Sequence, residues 1–229
     1  MFLSEDNMEL KVIAHIHTDF PEKFGVPRQS GLVSVTGKIV FEPEYRSADA
    51  FKGLEGYSHL WLIWQFSQIE ENKWSPTVRP PRLGGNRRMG VFATRSPFRP
   101  NSIGLSSVEL VKIEHDKALG TVITVKGADM VHGTPIFDIK PYLAYTDSHP
   151  DATGGFADDV MENRLKAEIP QKFLEKIPEN YIEEIKELLE NDPRPSYHDD
   201  ENRVYGMSYA GMEIKFTVKN GTVEICDIG

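Results

Sequence analysis

Hydrophobic and polar positions alternate through much of the first two thirds of the chain, in MELKVIAHI, GLVSVTGKIVF, VELVKIEH, GTVITVKG and TPIFDIK, and glycines or polar residues interrupt the runs. Alternation with period two predicts strands with one apolar face, and many short strands joined by Gly/Pro turns predict a barrel or a sandwich. MGVFAT reads as a further strand. HLWLIWQF, from His59 to Phe66, is apolar almost throughout and predicts a central strand buried on both faces. SADAFKGL predicts one helical turn, capped by Ser47 and ended near Gly53.

The period changes after SHPDATGGF, residues 148–156, whose loop-forming composition marks a domain boundary. Tyr181, Ile182, Ile185, Leu188 and Leu189 recur at helical spacing, Asn180 with Glu183 predicts a capping-box start, and NDPRP predicts the stop. MEIKFTV then places Met212, Ile214, Phe216 and Val218 on one strand face, and Asn220-Gly221 predicts a tight turn into TVEICDI. The reading is a mainly β domain over residues 1–150 and a small α+β, helix-plus-hairpin domain over 156–229.

Composition narrows the setting. The 229 residues, 39% hydrophobic, can bury a real core, and no apolar run approaches membrane-spanning length. MFLSEDNMELK carries acids where a secretory signal carries positive charge, so a cytoplasmic location is expected. The single Cys226 lies on an alternating strand, where a half-buried structural residue is the expectation.

A net charge of -9 argues against a nucleic-acid partner until its distribution is considered. Between Asn72 and Leu110 the only acid is Glu109, whereas Lys73, Arg79, Arg82, Arg87, Arg88, Arg95 and Arg99 all fall there. The negative excess lies mainly between Phe156 and Glu201. A basic central region within an acidic chain leaves two readings open, an anion-binding surface or a solvated face.

Several motifs are absent: there is no GxGxxG after a strand, no GxxxxGK[ST], no GxSxG, no HExxH and no CxxC. A doubly wound nucleotide-binding fold is therefore unsupported. His15 and His17 share a strand face with no third ligand of matching spacing, so no metal site is expected. Pro97 and Pro100 stiffen TRSPFRPNSIG into an extended loop that preorganises Arg95 and Arg99, either to grip a carboxylate or phosphate or to brace the loop's own carbonyls. In ADMVHGTPIFDIKPY, Gly133-Thr134-Pro135 forms a turn that a ligand can approach. Asp138 and Lys140 share one face of the next strand, as a simple ion pair or as the wall of a site.

FGVPRQSGLV, GLEGYSHLWLIWQF, PTVRPPRLGGNRRMGVFATRSPFRPNSIGLSSVEL, DMVHGTPIFDIKPY and NDPRPSY together resemble the blocks, in order, of the TsaA-like family, best known for its TrmO-type tRNA methyltransferases. The resemblance covers almost the whole chain. It implies a non-Rossmann antiparallel β-barrel that binds S-adenosylmethionine, a homodimer with the cofactor pocket near the subunit interface, and methylation of N6 of threonylcarbamoyladenosine 37 in the tRNA anticodon loop. It implies cofactor contacts from Pro27, Arg28 and Gln29, from Ser67 and Gln68, from Arg95, from Leu105, and from Val131, His132, Gly133 and Thr134.

Two positions depart from the family pattern. Ser67-Gln68 stands where His-Gln is common, and His132 stands where an Asp precedes Gly-Thr-Pro, which removes a carboxylate acceptor for a cofactor hydroxyl or amine. Asp138, tuned by Lys140, is the candidate proton acceptor, and Arg79, Arg82, Arg87 and Arg88 are the candidate tRNA rim. Without the resemblance, a methyltransferase, a catalytically silent RNA-binding barrel and a small-molecule hydrolase would all remain open.

Overall fold

The computed structural model describes residues 9–69, 74–80, 83, 87–160, 164–194 and 200–229. In chain order the first strands are β1 (Ala14–Thr18), β2 (Thr36–Phe41), β3 (His59–Gln65), the short pair β4 (Thr77–Val78) and β5 (Met89–Gly90), β6 (Ile103–Asp116), β7 (Gly120–Lys126) and β8 (Thr134–Pro141). Six of them close an antiparallel barrel in the order β1-β2-β7-β6-β3-β8, in which β1 pairs with β8. The mainly β, barrel-based fold expected from the alternating runs is the one observed.

Inside the barrel pack Ala14, Ile16, Ile39, Leu60, Leu62, Trp64, Val108, Ile123, Val125 and Ile136. The uninterrupted run in β3 is explained differently from its sequence reading. β3 does lie between β6 and β8, but only Leu60, Leu62 and Trp64 are buried; Trp61 and Ile63 are half-buried on the outer surface. Gly104 lets the barrel accommodate Trp64, because a Cβ there would lie 2.2 Å from the indole Cε2. The MGVFAT segment is strand only at Met89–Gly90 and then turns through a 3-10 helix, Val91–Ala93. Ala48–Phe51 is also 3-10, and Ser47 makes no capping bond there.

Strand registers set the polarity of the barrel. Thr18 pairs with Gly37, Thr36 with Lys126, Gln65 with Ile103, and Ile16 with Thr134. The connections leaving β1, β3 and β7 and those entering β2, β6 and β8 therefore share one mouth.

Beyond α1 (Ala144–Asp147) the chain forms β9 (Lys166–Glu168), α2 (Gln171–Leu174), α3 (Glu179–Glu190), β10 (Tyr205–Tyr209), β11 (Met212–Lys219) and β12 (Thr222–Ile228). These strands make a second sheet, β10-β11-β12-β9, with β9 parallel to β12. The helix-plus-hairpin pattern anticipates α3, β11 and β12 but not β9 or β10. Pro178, rather than the predicted Asn180–Glu183 box, precedes the first turn of α3. Cys226 is exposed, not half-buried.

The connection from β1 to β2 is a strap between the two sheets. Its Phe20, Val33 and Val35 enter the same core as Ile185, Leu188, Leu189, Met207, Tyr209 and Phe216. Among the described residues, no helix is long and apolar enough to cross a membrane.

Candidate cofactor site at the barrel mouth

Four connections meet at the mouth. Arg95, on the β5–β6 connection, donates from Nη1 to Gln29 Oε1 of the strap at 2.5 Å. Lys23 of the strap donates to the carbonyl of Gln68, which follows β3. Gly31 N–H donates to the Gly127 carbonyl at 2.9 Å, tying the strap to the β7–β8 connection. That connection then makes the turn Val131–Thr134. His132 and Gly133 N–H donate to the Phe20 and Ile16 carbonyls at 2.9 and 2.8 Å, and the Thr134 hydroxyl donates to the Val131 carbonyl at 2.7 Å. Gly133 sits at φ 77 with open space where a Cβ would project, so a ligand can come close to its backbone.

His132 makes a tethered contribution. Its Nδ1 lies 3.1 Å from the Thr18 carbonyl, which can only accept, so the neutral ring carries its proton there and offers Nε2 as an acceptor. An acceptor thus persists at the position where the resemblance leads one to expect a carboxylate. Its ring packs edge-on against His17 at 5.0 Å, and burial, then the charges of His132 and His15, hold the His17 imidazole below its usual value. His15 is engaged by Glu42 at 3.0 Å.

The Asp129 carboxyl, which the sequence pattern does not single out, reaches the inside of the mouth. Trp64 Nε1 donates to Ser106 Oγ at 2.9 Å, and Ser106 Oγ donates to Asp129 Oδ1 at 2.6 Å. Burial pushes the Asp129 carboxyl upward, opposed by the Ser106 bond, the N–H groups of Asp129 and Ser30, and the charge of Arg95. The available signal is an acid embedded in the apolar stretch VKGADMV.

Other sequence candidates lie around this mouth in different ways. Ser67 and Gln68 are exposed on the rim. Leu105 is 56% exposed on the outer face of β6, between Gly104 and Ser106, which are buried. Pro27 and Arg28 face the other side of the strap, lining a cleft with Leu188, Asn191, Asp192 and Pro193. The Arg28 guanidinium donates from Nη2 to the Asp192 and Arg194 carbonyls at 3.0 and 2.5 Å. Arg99 braces its own loop, donating to the carbonyls of Val91 and Thr94 at 3.1 and 2.7 Å.

Asp138 and Lys140 form an ion pair of 2.9 Å on the outer face of β8. The Asp138 hydrogen bond, with its charge, raises the Lys140 ammonium. The registers align Asp138 with Ile63 and Ile63 with Leu105, so the acid and Leu105 are two strands apart on one face. Arg79, Arg87 and Arg88 are exposed, with Arg88 Nη1 donating to Thr77 Oγ1 at 2.8 Å, and Arg82 lies outside the described residues.

The donor set fits a small amphiphilic cofactor. The Arg95 guanidinium suits a carboxylate, the backbone of 131–134 and the glutamines suit hydroxyls and ring nitrogens, Leu105 offers apolar surface, and the Asp129 carboxylate offsets positive charge. Among the described residues, no group of three or more His, Cys, Asp or Glu is arranged to hold a metal ion.

A closed antiparallel barrel with a polar ligand mouth, backed by a second small sheet, defines a class of non-Rossmann binding protein. Comparison with known proteins makes the assignment specific: the chain belongs to the TrmO family, matching the tRNA-methyltransferase O N-terminal domain over residues 15–148 and the TrmO C-terminal domain over 161–229. It is 44% identical over 220 residues to the tRNA (adenine(37)-N6)-methyltransferase of Escherichia coli K12, covering 93% of this chain and 92% of that protein. It is 36% identical over 168 residues to the human protein of the same name, covering 70% of this chain and 36% of that one. A crystal structure of TrmO superposes with a TM-score of 0.80 at 29% identity, over 97% of this chain and 99% of that one.

Proposed function

We propose that this protein is an S-adenosylmethionine-dependent tRNA methyltransferase acting on N6 of adenosine 37, with threonylcarbamoyladenosine in the anticodon loop as its substrate. The observation that carries this reading is the convergence of Gln29, Gln68, Arg95 and the 131–134 turn on one barrel mouth in a chain of this family.

S-adenosylmethionine supplies an activated methyl group on a sulfonium sulfur. The protein's work is then to bind, orient and exclude water. Arg95 and Gln29 hold the amino-acid end, the 131–134 backbone and Gln68 hold the nucleoside end, and Leu105 covers its apolar surface, with Ser67, Val131 and the backbone of Pro27 and Arg28 completing the rim. Asp138 accepts the N6 proton, with the Lys140 ammonium paired to its carboxylate at 2.9 Å. Arg79, Arg82, Arg87 and Arg88 face the tRNA backbone, in a region free of acids up to Glu109.

The remainder of the reading is a cytoplasmic homodimer, for which exposed Ile103 and Leu105 beside the mouth offer apolar contact surface. A domain boundary at 150–156 is supported by the gap between the two family matches, which end at 148 and resume at 161. Calorimetry with S-adenosylmethionine tests the reading against a silent RNA-binding barrel. Saturable binding is expected, and tRNA binding with no cofactor binding would sink it.

A further inference from the structure

An aromatic ring left in water contributes little to folding, and Phe92 is 75% exposed. It stands in the 3-10 turn Val91–Ala93, and that turn is well fixed. Val91 is buried and its N–H donates to the Pro76 carbonyl at 3.0 Å, while the Thr94 N–H and hydroxyl both donate to the Val91 carbonyl, at 3.1 and 2.9 Å. The two carbonyl bonds of Arg99 hold its guanidinium in place, and the guanidinium carbon lies 5.6 Å from the centre of the Phe92 ring. A fixed cation thus backs the ring, and the rest of it is open. A flat apolar surface, held still and presented to solvent, suits a flat partner.

The surroundings of Phe92 indicate which partner. Exposed Arg87 and Arg88 precede it, Arg95 at the mouth follows three residues later, and no acid occurs between Asn72 and Val108. Three residues of chain span at most about 11 Å, so one nucleotide loop can rest on Phe92 and enter the mouth. A polyanion with unstacked bases meets both needs, because its phosphates pair with arginines and its bases stack on aromatic rings. A second copy of this chain fits less well. A two-fold interface sets the same patch against itself and would bring these arginines face to face.

We propose that Phe92, backed by Arg99, is a stacking platform for a nucleobase flanking adenosine 37, at position 36 or 38 of the bound anticodon loop. This rests on the methyltransferase reading, with tRNA as substrate. Phe92 touches neither the cofactor nor the reacting atoms. It fixes a neighbour of adenosine 37, whereas the exposed arginines act on the backbone.

The test uses tRNAs with 2-aminopurine, whose fluorescence falls on stacking, in place of nucleotide 36 or 38. Each is titrated with wild type, Phe92→Ala, Phe92→Leu and Phe92→Trp at several salt concentrations, alongside thermal unfolding, sedimentation and calorimetry with S-adenosylmethionine. Wild type is expected to quench one of the two probes on binding. Phe92→Ala is expected to abolish that quenching and to weaken tRNA binding by about 5- to 150-fold, the range for one stacked base. The salt slope should hold, because no phosphate contact is lost. Phe92→Leu, apolar but without a ring, is expected to lose the quenching too, and Phe92→Trp to keep it. Cofactor affinity, Tm and oligomeric state should stay as in wild type. Should Phe92→Ala unfold, Phe92→Leu carries the test. Bound wild type that quenches neither probe, quenching that survives in Phe92→Ala or Phe92→Leu, or a changed oligomeric state in these variants overturns the proposal and leaves the function standing. Wild-type protein that binds no tRNA overturns both.

Discussion

Arg28 and Gln29 are neighbours in the chain and hold opposite partners: the Arg28 guanidinium is bonded to carbonyls of Asp192 and Arg194 beyond α3, while the Gln29 amide oxygen accepts from Arg95 at the barrel mouth. The strap thus carries the site on one side and is clamped by the second sheet and its helix on the other. Glu187 of α3 reinforces the clamp by accepting from Ser34 N–H at 2.5 Å.

The two neighbours should therefore separate stability from binding. Arg28→Ala removes charge-assisted bonds and is expected to lower unfolding free energy by about 1.5–3 kcal/mol in urea titrations, with little change in cofactor affinity. Gln29→Ala is expected to do the reverse, weakening S-adenosylmethionine binding while leaving the urea midpoint near wild type. A loss of affinity in Arg28→Ala as large as in Gln29→Ala would show that the arginine contacts the ligand.

The exposed arginines of the β4–β5 region should act on tRNA alone. Changing Arg79, Arg87 and Arg88 to Glu is expected to raise KM for tRNA and to flatten its dependence on salt, by a slope of roughly one for each phosphate no longer neutralised. Cofactor affinity in calorimetry should not move. An unchanged salt slope would place the tRNA elsewhere.

Asp138→Asn tests the proton acceptor. General-base removal costs roughly 10²–10⁴ in rate, so kcat should fall by at least about 10² while cofactor and tRNA binding persist. Turnover at the wild-type rate would reduce Asp138 and Lys140 to an ion pair on the barrel surface.

Stability should vary with pH through Glu184. Burial raises its carboxyl, opposed by the Tyr209 hydroxyl, which donates at 2.6 Å, and reinforced by Asp19 and Glu187. Its folded form holds a proton more tightly than its unfolded form. The contribution is therefore fully present below the unfolded carboxyl value and is lost as pH rises through the folded one. Glu184→Gln, which keeps an acceptor for Tyr209, is expected to raise Tm at neutral and alkaline pH and to leave it nearly unchanged in acid. Wild-type and variant Tm curves that run parallel across that range would contradict this.

Much of the barrel was legible because alternation reports which side of a strand is buried: β2 and β7 lie within alternating runs, and β1, β6 and β8 overlap them. Two features were not legible, for physical reasons. Trp61 and Ile63 look like core by composition, yet barrel closure puts them outside, and nothing local distinguishes Ile63 from Leu62 until the register is known. Asp129 was invisible because Ser30, Arg95 and Ser106, which give its carboxylate meaning, come from three other stretches of sequence. Conversely, the prolines of TRSPFRPN mark a segment that is neither helix nor strand, but only the structure divides its labour, with Arg99 turned onto the Val91 and Thr94 carbonyls and Arg95 onto Gln29.

The most direct measurement is transfer of a labelled methyl group from S-adenosylmethionine to tRNA, followed by nucleoside analysis, with tRNA carrying threonylcarbamoyladenosine at position 37 compared against tRNA lacking that group. The account predicts label in the N6-methylated, threonylcarbamoylated nucleoside from the first and none from the second. Label on any other nucleoside, equal labelling of both tRNAs, or no transfer by protein that binds both ligands would contradict it.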